Sequence, residues 1–167
     1  NWIWYGTPAW KGIQSANLSK TPLLTVRHQL VTAKEHQLDF NQLADLYGKT
    51  AILLSGFDYP GLEEHLGPNK IKALWVKNYK LAFKMLNRLK SKAFFIEMDL
   101  RINYNLKKLN LSAASFNRQS FAQVIPDFTL FLAYSPTIDT GLYTEIESGV
   151  EQLKNNGTLA QIINQYQ

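Results

Sequence analysis

The sequence predicts an α/β fold on a largely parallel sheet, and three observations lead there. Short runs such as Thr50 to Leu54 (TAILL) and Ala93 to Ile96 (AFFI) are almost wholly apolar, as strands buried on both faces are. These runs alternate with stretches of helical period, the pattern of successive βα units. The bulk composition, 46% hydrophobic and 19% charged over 167 residues, is that of a folded chain with room for one ordinary domain or two small ones.

Trp2 to Tyr5 reads as a short aromatic strand ended by Gly6 and Pro8. Leu23 to Ala33 (LLTVRHQLVTA) is long, β-rich and extended. Asn41 to Leu46 gives a helical turn or two, stopped at Gly48, and Thr50 to Leu54 is the first buried strand. The loop Ser55-Gly56-Phe57-Asp58-Tyr59-Pro60 leads into an expected helix, Gly61 to Leu66, with Pro60 where a helix start tolerates proline. Ile71 to Val76 is a strand. Asn78 to Leu89 is the clearest helix, with Asn78 as N-cap and Leu81, Met85, Leu86 and Leu89 on one face. Ala93 to Ile96 follows as a strand, Asp99 to Leu109 as a helix, and Phe128 to Tyr134 as a second long β segment. Two helices close the chain, Asp139 to Lys154 and Thr158 to Tyr166. Gly157 caps the first and Thr158 opens the second.

Several classes of function find no foothold. With no cysteine there is no disulfide, thiolate zinc or cysteine nucleophile. His28, His36 and His65 lack metal-ligand spacing, so no metal and no cofactor is expected. There is no HExxH, no phosphate-binding glycine loop and no serine nucleophile in a known context. The net charge of +5 comes from dispersed residues. Lys70, Lys72, Lys77, Lys80, Lys84, Arg88, Lys90 and Lys92 alternate with apolar positions, which reads as a solvated face and not a nucleic-acid surface. No apolar run approaches the roughly 20 residues that span a bilayer. Nor does Asn1 open a basic, apolar secretory leader, so a cytoplasmic chain and a mature exported one both remain open.

Five stretches, in order, resemble a known family. Ile146 to Tyr166 (IESGVEQLKNNGTLAQIINQY) is similar to the C-terminal signature of family 3 bacterial extracellular solute-binding proteins, the amino-acid-type receptors of ABC importers. Leu18 to Leu23 (LSKTPL) resembles the segment before that family's first crossover strand, and Leu43 to Gly56 (LADLYGKTAILLSG) its helix, strand and ligand loop. Lys84 to Glu97 (KMLNRLKSKAFFIE) resembles its next helix and strand, and Phe128 to Pro136 its return crossover. The resemblance implies a periplasmic binding protein type 2-like fold, a Venus flytrap of two lobes joined by two crossover strands. Residues 37–127 would form the second lobe. Residues 1–36 and 128–167 would form a first lobe that is incomplete, since the family's opening strand-helix block has no counterpart here.

The resemblance also implies where a ligand would bind. Ser55, Gly56, Phe57 and Asp58 follow a strand and precede the expected helix, so free N–H groups and a helix dipole there could hold an anionic or carbonyl group. The alternative is an ordinary turn with Asp58 as a cap. Glu97 matches the family acid that receives a ligand ammonium, or else serves only the start of the next helix. In the first lobe Tyr5, Thr7, Trp10 and Lys11 are the candidate residues. Lys11 stands where the family carries a carboxylate-clamping arginine and could offer only a point charge. Trp2 and Trp4 read as core or interface residues. Arg27 and His28 lie on opposite faces of the crossover, so at most one points at a ligand.

The functional expectation is a non-enzymatic periplasmic receptor that passes a small polar ligand, an amino acid or a related compound, to a membrane permease. The alternatives are the ligand-sensing domain of a signalling receptor and, third, a dehydratase-like enzyme on the same fold. An incomplete first lobe further predicts a trimmed fragment with poor ligand affinity, whose uncovered surface invites self-association.

Overall fold

The structure is a computed structural model that describes residues 2–10 and 12–166. The chain divides into two compact units, residues 1–26 with 127–167, and residues 27–126, so it passes from one to the other twice.

The first unit holds a three-stranded antiparallel sheet. Strand β1 (Ile3–Gly6) and strand β2 (Leu24–Val26) flank strand β8 (Phe128–Tyr134), with Ile3 opposite Tyr134 and Leu24 opposite Leu130. Ser19 ties the intervening segment to β8 with both ends of its residue. Its N–H donates to Leu132 O at 2.8 Å and its hydroxyl accepts from Leu132 N–H at 3.1 Å. Helix α3 (Thr140–Asn155) is capped by Asp139, whose carboxylate accepts from Leu142 N–H at 3.0 Å. Helix α4 (Thr158–Asn164) follows. Its N-cap is Gly157, at φ +82°, rather than the expected Thr158, which is the first helical residue.

The second unit holds a five-stranded mixed sheet ordered β5-β4-β6-β3-β7. Its strands are β3 (His28–Ala33), β4 (Thr50–Leu54), β5 (Lys72–Val76), β6 (Ala93–Met98) and β7 (Phe116–Ser120). β4 runs parallel to β5 and β6, whereas β3 runs antiparallel to both β6 and β7. Helix α1 (Tyr79–Leu89) and helix α2 (Asp99–Lys108) follow β5 and β6. Alternation along the strands feeds two cores. Ala51, Leu53, Phe94 and Ile96 pack on one face with Leu46, Phe121 and Ile125. Ile52, Leu54, Phe95 and Val76 pack on the other with Ala82, Phe83, Leu86 and Ile102. Each of the larger side chains among these contributes roughly 1.5–3 kcal/mol of transfer free energy.

Several sequence expectations are corrected here. The long β segment 23–33 is two strands in two different sheets, broken at the exposed Arg27, so residues 28–36 belong with the second sheet. Strand β7, too polar to read as a strand (FNRQS), exists because its backbone pairs with β3 from Gln29 to Ala33. The sheet is therefore mixed and not simply parallel. Helix α1 is capped by Asn78 as expected, its side chain accepting from Leu81 N–H at 2.9 Å. Its buried face, however, is Ala82, Phe83 and Leu86, and Leu81 is exposed. The eight dispersed basic residues from Lys70 to Lys92 are all exposed.

The expected helix 61–66 shrinks to a single 3-10 turn, Glu63–His65. Gly61 sits at φ +81°, which a helix cannot pass through, and a Cβ there would lie 2.7 Å from Val124 O. Gly56 also sits in the left-handed region, at φ +85°, with open space around it. The Gly56→Ala variant should therefore lose about 1–2 kcal/mol from backbone conformation alone. Gly61→Ala should lose more, because Val124 must also move. Urea unfolding of both variants checks the order, and a Gly61→Ala variant no less stable than Gly56→Ala would refute the account.

Candidate functional site

Because β4, β5 and β6 are parallel, their C-terminal ends share one edge of the second sheet. In open α/β sheets that edge is where ligands bind. Three segments leave it: the loop after Leu54, the start of α1 after Val76, and the start of α2 after Met98. Each contributes one residue, Phe57, Tyr79 and Arg101, to a connected cluster around Glu97.

Glu97 is 3% exposed at the end of β6, opposite Gln29 of β3. Burying a carboxylate is costly unless donors surround it. One oxygen accepts from the Tyr79 hydroxyl at 2.8 Å and the other from Met98 N–H at 2.7 Å. The Arg101 guanidinium stands 3.8 Å away, one helical turn on. Burial nevertheless outweighs these partners and holds the Glu97 pKa above the usual 4.5. The same burial, reinforced by the Glu97 charge, pushes the Tyr79 hydroxyl well above its usual value, so it remains a donor. Arg101 in turn lies under the ring of Phe57, 4.7 Å from its centroid. Phe57, at 39% exposure, thus covers the guanidinium that faces Glu97.

The loop that carries Phe57 is fixed from below. Buried Tyr59 uses its hydroxyl to accept from Leu54 N–H at 2.8 Å, and its pKa is likewise raised by burial. Ser55 N–H donates to Val76 O at 2.9 Å, and Phe57 N–H to Leu54 O at 3.4 Å. Two of the N–H groups expected to face a ligand are therefore spent on the turn. With no α-helix following, the expected helix dipole is absent as well. Ser55, Gly56 and Asp58 are exposed, and Asp58 caps no helix. The structure thus brings Phe57 and Glu97 together, through a residue the sequence reading passed over. Arg101 and Tyr79 were the missed members. The i,i+4 spacing of Glu97 and Arg101 across a strand-helix junction was a weak signal for the first, and nothing in the sequence marked the second.

In the first unit the aromatic residues form their own chain of rings. Trp4 stacks on Tyr5 with centroids 5.6 Å apart, Tyr5 meets Trp10 edge-on at 5.9 Å, and Trp10 meets Phe128 at 6.0 Å. Tyr5 and Trp4 are 37% and 57% exposed. Thr7 is buried, its hydroxyl accepting from Ala9 N–H and its carbonyl from Trp10 N–H, so it shapes the turn that carries Trp10. Lys11 lies outside the described residues. Arg27, at the break between β2 and β3, is exposed, and His28, the first residue of β3, is buried. Among the described residues no group of three or more histidines, aspartates or glutamates could hold a metal ion, and no helix is long and apolar enough to cross a membrane.

The raised pKa of Glu97 has a stability consequence with a definite sign. The folded state holds this proton more tightly than the unfolded chain does. It is therefore favoured at low pH, and the advantage fades as pH rises from 4.5 through the raised value. The stability of the native protein minus that of Glu97→Gln should fall with rising pH in that window, by up to about 1.4 kcal/mol per pH unit. Urea unfolding at a series of pH values measures it, and a flat or rising difference would show that burial does not dominate at Glu97.

No protein-family model matches the sequence, and no curated protein does either. Solved structures do. A P235GK mutant of ArgBP from T. maritima is 20% identical with a TM-score of 0.64, over 89% of this chain and 60% of that one. The amino acid ABC transporter substrate-binding protein AbpA from Streptococcus pneumoniae, bound to L-arginine, is 15% identical with a TM-score of 0.67, over 90% and 60%. The GLUR0 ligand-binding core in complex with L-glutamate is 12% identical with a TM-score of 0.66, over 95% and 66%. The chain spans about 60% of the length of the first of these structures. Such likeness carries the architecture: the chain has the mixed α/β fold of type 2 periplasmic binding proteins.

Proposed function

We propose that the chain is the ligand-binding part of a periplasmic solute-binding receptor, which captures a small polar molecule of amino-acid type and delivers it to an ABC-class permease. The observation that carries this reading is the placement of a buried charged cluster, Glu97 with Tyr79 and Arg101, at the strand-end edge of a type 2 binding-protein fold. A buried, hydrogen-bonded charge at that edge suits the recognition of one polar group, and the exposed Phe57 offers an apolar surface beside it. The first unit offers the aromatic run Tyr5, Trp10 and Phe128. Lys11, which follows Trp10 in the sequence, would supply a positive charge. On this reading the chain needs no cofactor and catalyses no reaction.

A second reading, a ligand-sensing domain of a signalling receptor, draws support from the likeness to the GLUR0 ligand-binding core. The two differ in partner and not in the binding event. The exposed apolar residues Ile3, Trp4, Leu142, Leu153 and Ile162 of the first unit are where a second copy of the chain would associate.

Binding to the native state raises stability by mass action, about 2.7 kcal/mol at one hundred times the dissociation constant. Thermal unfolding of the purified chain with amino acids, polyamines, sugars and small acids should therefore show an increase for a member of the amino-acid or small-acid classes. Unchanged unfolding across all four classes would overturn the receptor reading.

A further inference from the structure

The receptor reading leaves open which charge the second unit recognises, and the obvious residue for a cationic group is Glu97. Its surroundings argue otherwise. Both carboxylate oxygens already accept hydrogen bonds, from Tyr79 and from Met98 N–H. Arg101 holds the position, 3.8 Å away, that an incoming ammonium would need. A second cation there would meet a like charge beside a carboxylate that already has three partners.

Arg101 is in the opposite state. A guanidinium carries five N–H donors in a fixed fork. At 3.8 Å from Glu97, Nη1 is beyond hydrogen-bond distance, and it has no hydrogen-bond acceptor among the described residues although it is buried. The side chain keeps 30% exposure. Above it lies Phe57, on a loop that turns at Gly56. The fork is thus held in place by an ion pair on one side and a ring on another, with donors in reserve. Asp58, the single acid of that loop, is exposed, where solvent screens its charge.

We infer that the second unit's half-site binds a carboxylate of the ligand, through Arg101 under the cover of Phe57, and that Glu97 is a positioning residue that holds the guanidinium instead of a receptor for an ammonium group. This rests on the proposal that the chain is a solute receptor. Tyr79 fixes Glu97, Glu97 orients Arg101, and a carboxylate can then dock on the fork with two parallel hydrogen bonds. A ligand whose only charge is cationic would find no unpaired carboxylate in the Glu97 cluster.

Nuclear magnetic resonance of the isotope-labelled 167-residue chain tests it with two small probes, sodium succinate and butylammonium chloride, at matched ionic strength. Succinate should shift the Arg101 Nε–H signal and the Gly56 and Phe57 amides saturably, and butylammonium should not. In Arg101→Gln the succinate response should weaken by about tenfold or more, and Arg101→Lys, which keeps the charge but loses the fork, should weaken it too. A well-dispersed spectrum of each variant establishes that it folds. Glu97→Gln should keep a succinate response, with an altered Arg101 Nε–H position even before titration. Saturable shifts with butylammonium that vanish in Glu97→Gln would overturn the inference, and so would no response at Arg101 to either probe. Those failures leave the receptor reading standing if the thermal screen finds a ligand. A screen with no ligand fails that reading itself.

Discussion

Everything at the candidate site follows from the parallel pairing of β4 with β5 and β6. Parallel strands buried on both faces need apolar residues at every position, and β4 and β6 supply them, from Ala51 to Leu54 and from Ala93 to Ile96. The same pairing sends three strand ends to one edge. Polar residues excluded from the strand interiors can appear only beyond those ends. Glu97 is the first polar residue after the four-residue apolar run of β6, and so it is buried by the sheet yet placed at its rim.

A buried carboxylate in that position organises its neighbours. It needs partners, and the segments that start at the same edge provide them: the Tyr79 hydroxyl from the first turn of α1 and Met98 N–H as hydrogen-bond donors, and the Arg101 charge from the first turn of α2. Desolvation still dominates, so the group keeps its proton more readily than an exposed glutamate would. Arg101 is consequently drawn over the sheet edge, where Phe57 can cover it. The loop that carries Phe57 is in turn anchored by the Tyr59 hydroxyl on Leu54 N–H. The cluster is a chain of dependencies that begins with one buried charge.

The two units solve their packing differently. The second has two full cores, one on each side of its sheet. Helices α3 and α4 of the first contain no fully buried residue, and its sheet has three strands. What fixes the first unit is largely hydrogen bonding to β8, from β1, from β2 and from Ser19. Exposed aromatic and aliphatic side chains therefore concentrate there, and its packing includes the ring contacts from Trp4 to Phe128 and buried Tyr134 against Tyr143.

By itself the sequence determined whatever depends on local pattern. Doubly buried strands announce themselves as apolar runs, so β4 and β6 were legible; the half-buried but equally apolar β8 was legible too, as were α1 with its Asn78 cap and α3 with its Asp139 start. The order of weak motifs pointed to the type 2 binding-protein architecture, because order and spacing survive where identity falls to 12–20%. Tertiary structure decided what depends on partners distant in the chain. Strand β7 is polar and exists through its pairing with β3, and the break at Arg27 follows from strands joining two sheets, not from any local turn signal. The expected helix after Pro60 gave way to a left-handed Gly61 lying against Val124, more than sixty residues on. For the site, Glu97 and Phe57 were visible as residues at element ends. Their linkage through Arg101 and Tyr79 was not, since a charge's meaning depends on what burial and folding bring within 4 Å of it.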